Sequence, residues 1–220
     1  AWHHKEGSPH FLRDSQPNAQ IASIRLAELI EHFAAVAKGL PEKPIVIGHS
    51  IGGLLTQILV NRGLAAAGIA IHSLAPQGII PTQFSFYKST WRALGFFTSI
   101  RKSYLMSFKK WQYAFTNDMS LAEQEEGYER FLIPESKLAL RDGLTSVAKV
   151  DFKKPHAPLL FLAGSADHCI PAALNLSNMK KYKDRSSVTD YIVLKGRNHF
   201  VLGQSSWRGD ADCILSGSNQ

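Results

Sequence analysis

The segment Gly48-His49-Ser50-Ile51-Gly52 carries a serine of the kind that attacks carbonyl carbons. It matches the pattern G-x-S-x-G, in which the serine occupies a sharp turn between a strand and a helix. Gly48 and Gly52 have no Cβ, so the strand and the helix can approach closely there. The new helix directs free backbone N–H groups at the serine. We therefore predict Ser50 as a nucleophile and the N–H of Ile51 as an oxyanion donor; the alternative is an ordinary turn that contains a serine.

A serine hydroxyl needs a neighbouring base, and histidine is the usual one. Proteins that use this turn place serine, acid and histidine in that chain order, which favours a late histidine. His199 follows the last predicted strand, at the carboxyl end where open α/β sheets build their sites. We predict His199 as the base, with His168 as second choice and a structural role as the alternative. His49 is predicted to pack beneath the turn.

The acid that orients such a histidine is predicted to be Asp167. This residue follows an apolar run, so it also lies in a loop at the carboxyl end of a strand. Asp151 and Asp190 are alternatives, but neither comes directly after a strand. A capping or turn role is the other interpretation of Asp167. Cys169, two residues further on, is expected to act as a small hydrophobic residue rather than a pocket residue.

The elements that must position these residues are predicted from apolar patterns. Four short apolar runs indicate strands, and helical spacing of apolar residues indicates helices before and after the first of them. The first 19 residues are polar and are predicted to be irregular. Strands that alternate with helices favour βαβ units and a parallel sheet. The predicted strands are residues 44–48, 67–74, 157–163 and 188–194, and the predicted helices are residues 20–39 and 52–62.

A long segment rich in aromatic residues, 78–155, separates the second predicted strand from the third. A structureless loop of that length would be unusual, so we predict a mostly helical cap. The core is then formed by residues 1–77, with the serine turn, and residues 156–220, with the acid and histidine loops. The aromatic side chains either line an apolar pocket or pack the cap onto the core.

Composition limits the other function classes. The net charge is +7, but the basic residues are scattered and form no nucleic-acid-binding motif. With only Cys169 and Cys213, neither a disulfide framework nor a CxxC pattern is present. No apolar run has the length of a membrane span, and no signal peptide is visible. We expect no nucleic-acid partner, no membrane span, no metal and a cytoplasmic location, with a lost signal peptide as the alternative.

Three segments together resemble the α/β-hydrolase superfamily. "PIVIGHSIGGL", "APLLFLAGSADHCIP" and "LKGRNHFVLGQSSW" are similar to its nucleophile, acid and histidine blocks, and the likeness is greatest to bacterial members with an aromatic cap. The resemblance spans residues 10–212. It implies a mostly parallel sheet flanked by helices with a helical cap insertion, and a triad of Ser50, Asp167 and His199. It also implies esterase or lipase-like chemistry without a cofactor, on a small apolar ester or acyl substrate.

The resemblance also has gaps. Members of the superfamily have more strands than the four visible here, and a His-Gly loop that supplies a second oxyanion donor. The amino-terminal part of the sheet is therefore expected to be missing, which leaves the strand at 45–47 as an apolar open edge able to self-associate. A weakly active or inactive binding protein on this fold is one alternative function. A lyase, C–C hydrolase or perhydrolase that uses the same triad is another.

Overall fold

A computed structural model describes residues 5–216, except the side chain of Ser216. These residues form ten α-helices, two short 3-10 helices and four strands. The α-helices are α1 (Pro9–Asp14), α2 (Ala19–Ser23), α3 (Leu26–Gly39), α4 (Ile51–Asn61), α5 (Phe84–Leu94), α6 (Phe108–Ala114), α7 (Leu121–Phe131), α8 (Lys137–Asp142), α9 (Ala172–Met179) and α10 (Trp207–Ser216). The strands are β1 (Ile45–His49), β2 (Ala67–Ile71), β3 (Leu159–Gly164) and β4 (Thr189–Leu194); the 3-10 helices are Ser146–Ala148 and Val201–Gly203.

The four strands form one parallel sheet in the order β1-β2-β3-β4. On one face, Val60 of α4 and Met179 of α9 pack against Phe161 of β3. On the other face, Cys213 of α10 packs against Leu162 of the same strand. Helices thus cover both faces, and the predicted α/β-hydrolase fold with a mostly parallel sheet is confirmed.

Strand β1 lies at the edge of the sheet. Within residues 5–216 it pairs only with β2, and Ile45 and Ile47 are 64% and 59% exposed. The apolar run of β1 predicts a strand buried on both faces, and this prediction is wrong. Ile45 and Ile47 point to the same face of the sheet, and that face is left uncovered at β1 by the described residues. The open edge expected from the resemblance is present in this part of the chain.

The single helix predicted over residues 20–39 is wrong. The chain forms α2 and α3 instead, separated by an extended backbone at Ile24 and Arg25. The cause is Asp142 at the end of α8. Its carboxylate accepts the backbone N–H of Leu26 at 3.1 Å and the guanidinium of Arg25 at 2.6 and 2.8 Å. A carboxylate at the start of a helix satisfies backbone donors that have no partner within the helix, so it starts α3 at this position.

The prediction of an irregular amino-terminal segment is also wrong for residues 9–14, which form α1. The side chain of Ser8 accepts the N–H of Phe11 at 3.2 Å, and Pro9 occupies the first turn, where its missing N–H costs nothing. Leu12 is buried in the cluster formed with α3 and α4. Packing of this side chain therefore adds to the local capping signals.

Residues 78–155 contain α5 to α8 and the first 3-10 helix. An isolated bridge between Tyr104 and Glu135 joins two of their loops. Helix α5 contacts the core through Phe86, which packs against Ile170. Apart from this bridge, the regular structure of the segment is helical, but about half of its residues lie in loops, so it is less helical than the sequence predicts. Its role as a cap stays a prediction.

Candidate active site

Ser50 stands alone between the end of β1 and the start of α4. Its backbone has φ 57° and ψ −117°, a conformation that residues with a Cβ rarely adopt. Four backbone hydrogen bonds hold the turn. The N–H of Ser50 donates to Ile71 at 3.0 Å, and the Ser50 carbonyl accepts from Gly53 and Leu74 at 3.0 Å and from Leu54 at 3.3 Å. These hydrogen bonds therefore maintain the strained backbone conformation. The turn holds Ser50 at the carboxyl end of β1.

Close contact between β1 and α4 depends on Gly48. A Cβ on this residue would lie 2.0 Å from the carbonyl oxygen of Gly52, so only glycine fits. Gly53 is also constrained, though less tightly, since its Cβ would lie 2.7 Å from the side chain of Ser73. The expectation that Gly52 also permits a close approach is wrong, because a Cβ there would meet nothing within 4 Å.

The structure brings together the three side chains predicted as nucleophile, base and acid. His199 Nε2 lies 3.0 Å from Ser50 Oγ, although the two residues are 149 positions apart. His199 Nδ1 lies 2.7 Å from Asp167 Oδ2. His199 follows β4 and Asp167 follows β3, so both lie in loops at the carboxyl ends of neighbouring parallel strands. The imidazole and the carboxylate are fully buried.

The carboxylate of Asp167 is held from both sides. Its Oδ1 accepts the backbone N–H groups of Cys169 and Ile170, both at 2.7 Å. Its Oδ2 accepts from two imidazoles. Burial raises the pKa of Asp167, but the nearby His199 and the hydrogen bonds outweigh burial and hold the pKa well below its usual range. Asp167 is therefore an acceptor only, and each ring nitrogen that faces it must carry a proton.

The second imidazole belongs to His72, which the sequence did not single out. His72 directly follows β2, is 0% exposed, and places Nδ1 2.7 Å from Asp167 Oδ2. Its Nε2 is buried without a hydrogen-bond partner in the described chain. The apolar run predicts one strand over residues 67–74, which would contain His72, whereas β2 ends at Ile71 and leaves His72 at its carboxyl end. The sheet order is the signal that could have found His72. It follows β2, which lies between β1 and β3, the strands whose carboxyl-end loops carry Ser50 and Asp167.

Burial and the Asp167 charge act differently on the three clustered histidines. Burial lowers the pKa of His49 well below its ordinary value, and it also lowers the pKa of His72. At His199 burial is the largest effect and lowers the pKa, but the Asp167 charge, the neighbouring Cys169 and the side-chain hydrogen bonds to both together outweigh burial and raise the pKa. His49 lies with its ring centroid 4.7 Å from that of His199. Its packing beneath the turn stays a prediction.

A ring nitrogen of each of these histidines lies within 4.8 Å of the others, a spacing that would suit metal ligands. The Nδ1 atoms of His72 and His199 already donate to Asp167. In that tautomer the Nε2 atoms of both rings carry the lone pairs, and Nε2 of His199 faces Ser50 Oγ at 3.0 Å.

The other candidates lie away from Ser50. His168 Nδ1 bonds the carbonyl of Tyr113 at 3.0 Å. Asp151 and Asp190 are exposed, and the backbone of Lys153 donates to the Asp151 carboxylate. The structure therefore does not bring His168, Asp151 or Asp190 to the serine.

Aromatic side chains of the 78–155 segment form two groups. Trp111 is buried and stacks on Phe115 at 5.1 Å, and Phe115 sets its ring edge-on to His199 at 4.6 Å. Phe84 and Phe97, by contrast, are 78% and 88% exposed. Trp111 is thus part of the buried packing, and Phe115 places an apolar surface beside the imidazole. The lining of a substrate pocket by these side chains stays a prediction.

The chain belongs to the alpha/beta hydrolase family, whose family model matches residues 3–207. A comparison with curated protein sequences gives no significant match. Among solved structures, the chain is similar to a monoacylglycerol lipase from Paleococcus ferrophilus, at 20% identity and a TM-score of 0.60, over 89% of this chain and 77% of that one. It is similar to tomato methylketone synthase I at 12% identity and a TM-score of 0.65, over 94% and 89% of the chains. A pyrethroid hydrolase from Sphingobium faniae matches at 14% and 0.60, over 92% and 81%.

These structural likenesses show the shared fold. The family membership is consistent with a small-molecule substrate. No helix among the described residues is long and apolar enough to cross a membrane.

Proposed function

We propose that this protein is a serine hydrolase that cleaves a carboxylic ester through an acyl-enzyme. The observation that carries the proposal is the continuous hydrogen-bonded path from Ser50 Oγ to His199 at 3.0 Å and from His199 to Asp167 at 2.7 Å. Because Asp167 is ionised, His199 Nδ1 carries the proton and Nε2 offers its lone pair to the serine hydroxyl. That tautomer is the one a general base needs.

In the first half-reaction, Ser50 Oγ bonds to the ester carbonyl carbon while its proton passes to His199 Nε2. The carbonyl oxygen gains negative charge, and the proposed donor that stabilises it is the N–H of Ile51, the first residue of α4, where helix N–H groups have no partner within the helix. The ester C–O bond then breaks, and the proton on Nε2 goes to the leaving alcohol. Asp167 stabilises the imidazolium throughout.

In the second half-reaction, His199 Nε2 takes a proton from water as the water oxygen bonds to the acyl carbon. The bond between the acyl carbon and Ser50 Oγ breaks, Oγ receives the proton, and the carboxylic acid leaves. Atoms balance with water as the only co-reactant, so no cofactor is needed for this reaction.

An ester with an apolar acyl or alcohol part is the proposed substrate class. Phe115 sets its ring edge-on to His199, with 4.6 Å between the ring centroids, and so places an apolar surface beside the base. The names of two similar structures, a lipase and a pyrethroid hydrolase, fit this class. Ester chain length is the variable that tests it.

Labelling with a fluorophosphonate probe tests the nucleophile. The wild-type protein should form one adduct, mapped to Ser50 by peptide mass spectrometry, and Ser50→Ala should form none. Ser177→Ala is the matched control: this exposed serine on α9 bonds only the preceding helix turn, so labelling should be unchanged. An adduct that persists in Ser50→Ala would overturn the assignment. Turnover of a p-nitrophenyl ester series from acetate to octanoate then tests the substrate class.

A further inference from the structure

Two imidazoles share one oxygen of the carboxylate that orients the base. We propose that His72 is a positioning residue, which fixes Asp167 and limits its attraction for the His199 proton, and so sets the pH at which His199 becomes a base. The inference rests on the proposed function, because it concerns the working of the same triad.

The fold is built to keep the His72 ring in this place. His72 has a φ of 45°, which residues other than glycine rarely adopt, and its N–H donates to Leu162 at 2.7 Å. The next N–H, of Ser73, donates to the side chain of Asn175 at 3.0 Å. Gly164 leaves room for the ring, since a Cβ there would lie 2.4 Å from His72 Cε1. The strained backbone of His72 is thus held by hydrogen bonds, one of them from Ser73 to the buried Asn175 side chain, and Gly164 leaves the space in which the ring reaches Asp167.

His72 is a neutral donor. Its Nδ1 faces an ionised carboxylate and must carry the proton, so Nε2 carries the lone pair. The titratable groups that face it are Asp167, His199 and His49, with Asp210 farther away. A protonated ring would need an acceptor for Nε2, which has none in the described residues, and burial lowers the pKa of His72. His72 therefore gives Asp167 a hydrogen bond without adding a charge.

Sharing Oδ2 has two consequences for His199. A second donor reduces the negative potential that the oxygen offers to the imidazolium, so His199 loses its proton at lower pH than it would beside an unshared carboxylate. The donor also holds the side of Asp167 opposite the two backbone N–H groups, so the carboxylate cannot rotate. Loss of His72 should move the acidic limb of the kcat/KM profile up by about 0.5 to 1 pH unit. It should also lower kcat about tenfold through poorer orientation, with KM nearly unchanged because His72 does not face the substrate.

The test compares His72→Leu, which has no donor, with His72→Asn, whose Nδ2 takes the place of the imidazole Nδ1. His156→Asn is the matched control, because His156 lies at the opposite end of the sheet, beside Thr189. We expect the acidic limb to shift in His72→Leu and to return to the wild-type position in His72→Asn. Proton NMR provides a readout without turnover: the wild type should show two low-field imidazole N–H signals, one of which is absent in His72→Asn.

Several outcomes would overturn the inference. An unshifted acidic limb in His72→Leu, with kcat reduced equally in both variants, would mean that His72 only fills space. A wild-type spectrum with one low-field signal would mean that the two imidazoles do not both donate to the same oxygen of Asp167. This measurement needs only the wild-type protein, so it tests the inference even if His72→Leu fails to fold. Failure of the proposed function is distinct: Ser50 would not label with the fluorophosphonate, whereas both NMR signals would persist.

Discussion

Replacing Asp167 with asparagine should leave His199 in place but unable to act as a base, with the fold intact. The amide has one oxygen and one NH2 group, and the structure decides which side each takes. The Oδ1 position accepts the N–H groups of Cys169 and Ile170, which belong to the backbone and cannot change roles. The amide oxygen must therefore stay there, and the NH2 group must face the imidazoles of His72 and His199.

An NH2 group at that position donates, so His199 must offer it the lone pair of Nδ1. The proton then moves to His199 Nε2, 3.0 Å from Ser50 Oγ, where an N–H cannot accept the serine proton. Loss of the correct tautomer costs about 10⁴ in kcat in the trypsin-like example of this change. That factor equals about 5.4 kcal/mol in the activation free energy. We expect the same order of loss here, measured as kcat for a p-nitrophenyl ester at pH 8.

Asp190→Asn is the matched control, because Asp190 is an exposed acid on β4 and should leave kcat within a factor of two. A loss smaller than tenfold in Asp167→Asn would refute the tautomer argument.

The stability of the wild type and of Asp167→Asn gives a second check. The pKa of Asp167 is lower in the folded state, so its charge contributes stability above an unfolded pKa of about 3.9. This contribution is lost as the pH falls towards the folded pKa, so the stability advantage of the wild type over Asp167→Asn should shrink in acid.

Three further changes have definite expectations. Gly164→Ala places a Cβ 2.2 Å from a backbone oxygen and should lower the free energy of unfolding by about 1–3 kcal/mol in urea titrations, whereas Gly39→Ala, with nothing within 4 Å, should not. Ser50→Gly should be more stable than Ser50→Ala by about 1 kcal/mol, because glycine relieves the backbone strain at φ 57°; equal melting temperatures would contradict that strain. Asp142→Ala leaves a backbone N–H and the Arg25 guanidinium without their acceptor, and should cost about 2–3 kcal/mol by thermal unfolding; a loss below 0.5 kcal/mol would show that α3 starts without it.

The sheet could be predicted because its strands are local apolar runs, and all four lie within a few residues of their predicted positions. The division of residues 20–39 into two helices could not. Its cause is Asp142, more than 100 positions away, and apolar periodicity is continuous through the break. The position of β1 at the edge likewise depends on which strands are its neighbours. The composition of the strand itself does not contain that information.

Ser50, Asp167 and His199 could be proposed from sequence because each follows a strand and because their chain order restricts the choice. His72 obeys the same positional rule but was hidden by a three-residue error in the end of β2. The proposed role of His72 depends on its sharing Asp167 Oδ2 with His199. No pattern of residue types encodes a distance of 2.7 Å between side chains 95 positions apart.

Each strand of the described sheet delivers one member of the site: Ser50 after β1, His72 after β2, Asp167 after β3 and His199 after β4. A slip of one residue in any of the three strand pairings would displace a member by about 3.3 Å and turn it to the opposite face. Turnover therefore requires all three pairings at once. During denaturation, esterase activity should disappear together with the sheet signal in circular dichroism, and no partly unfolded form should retain it.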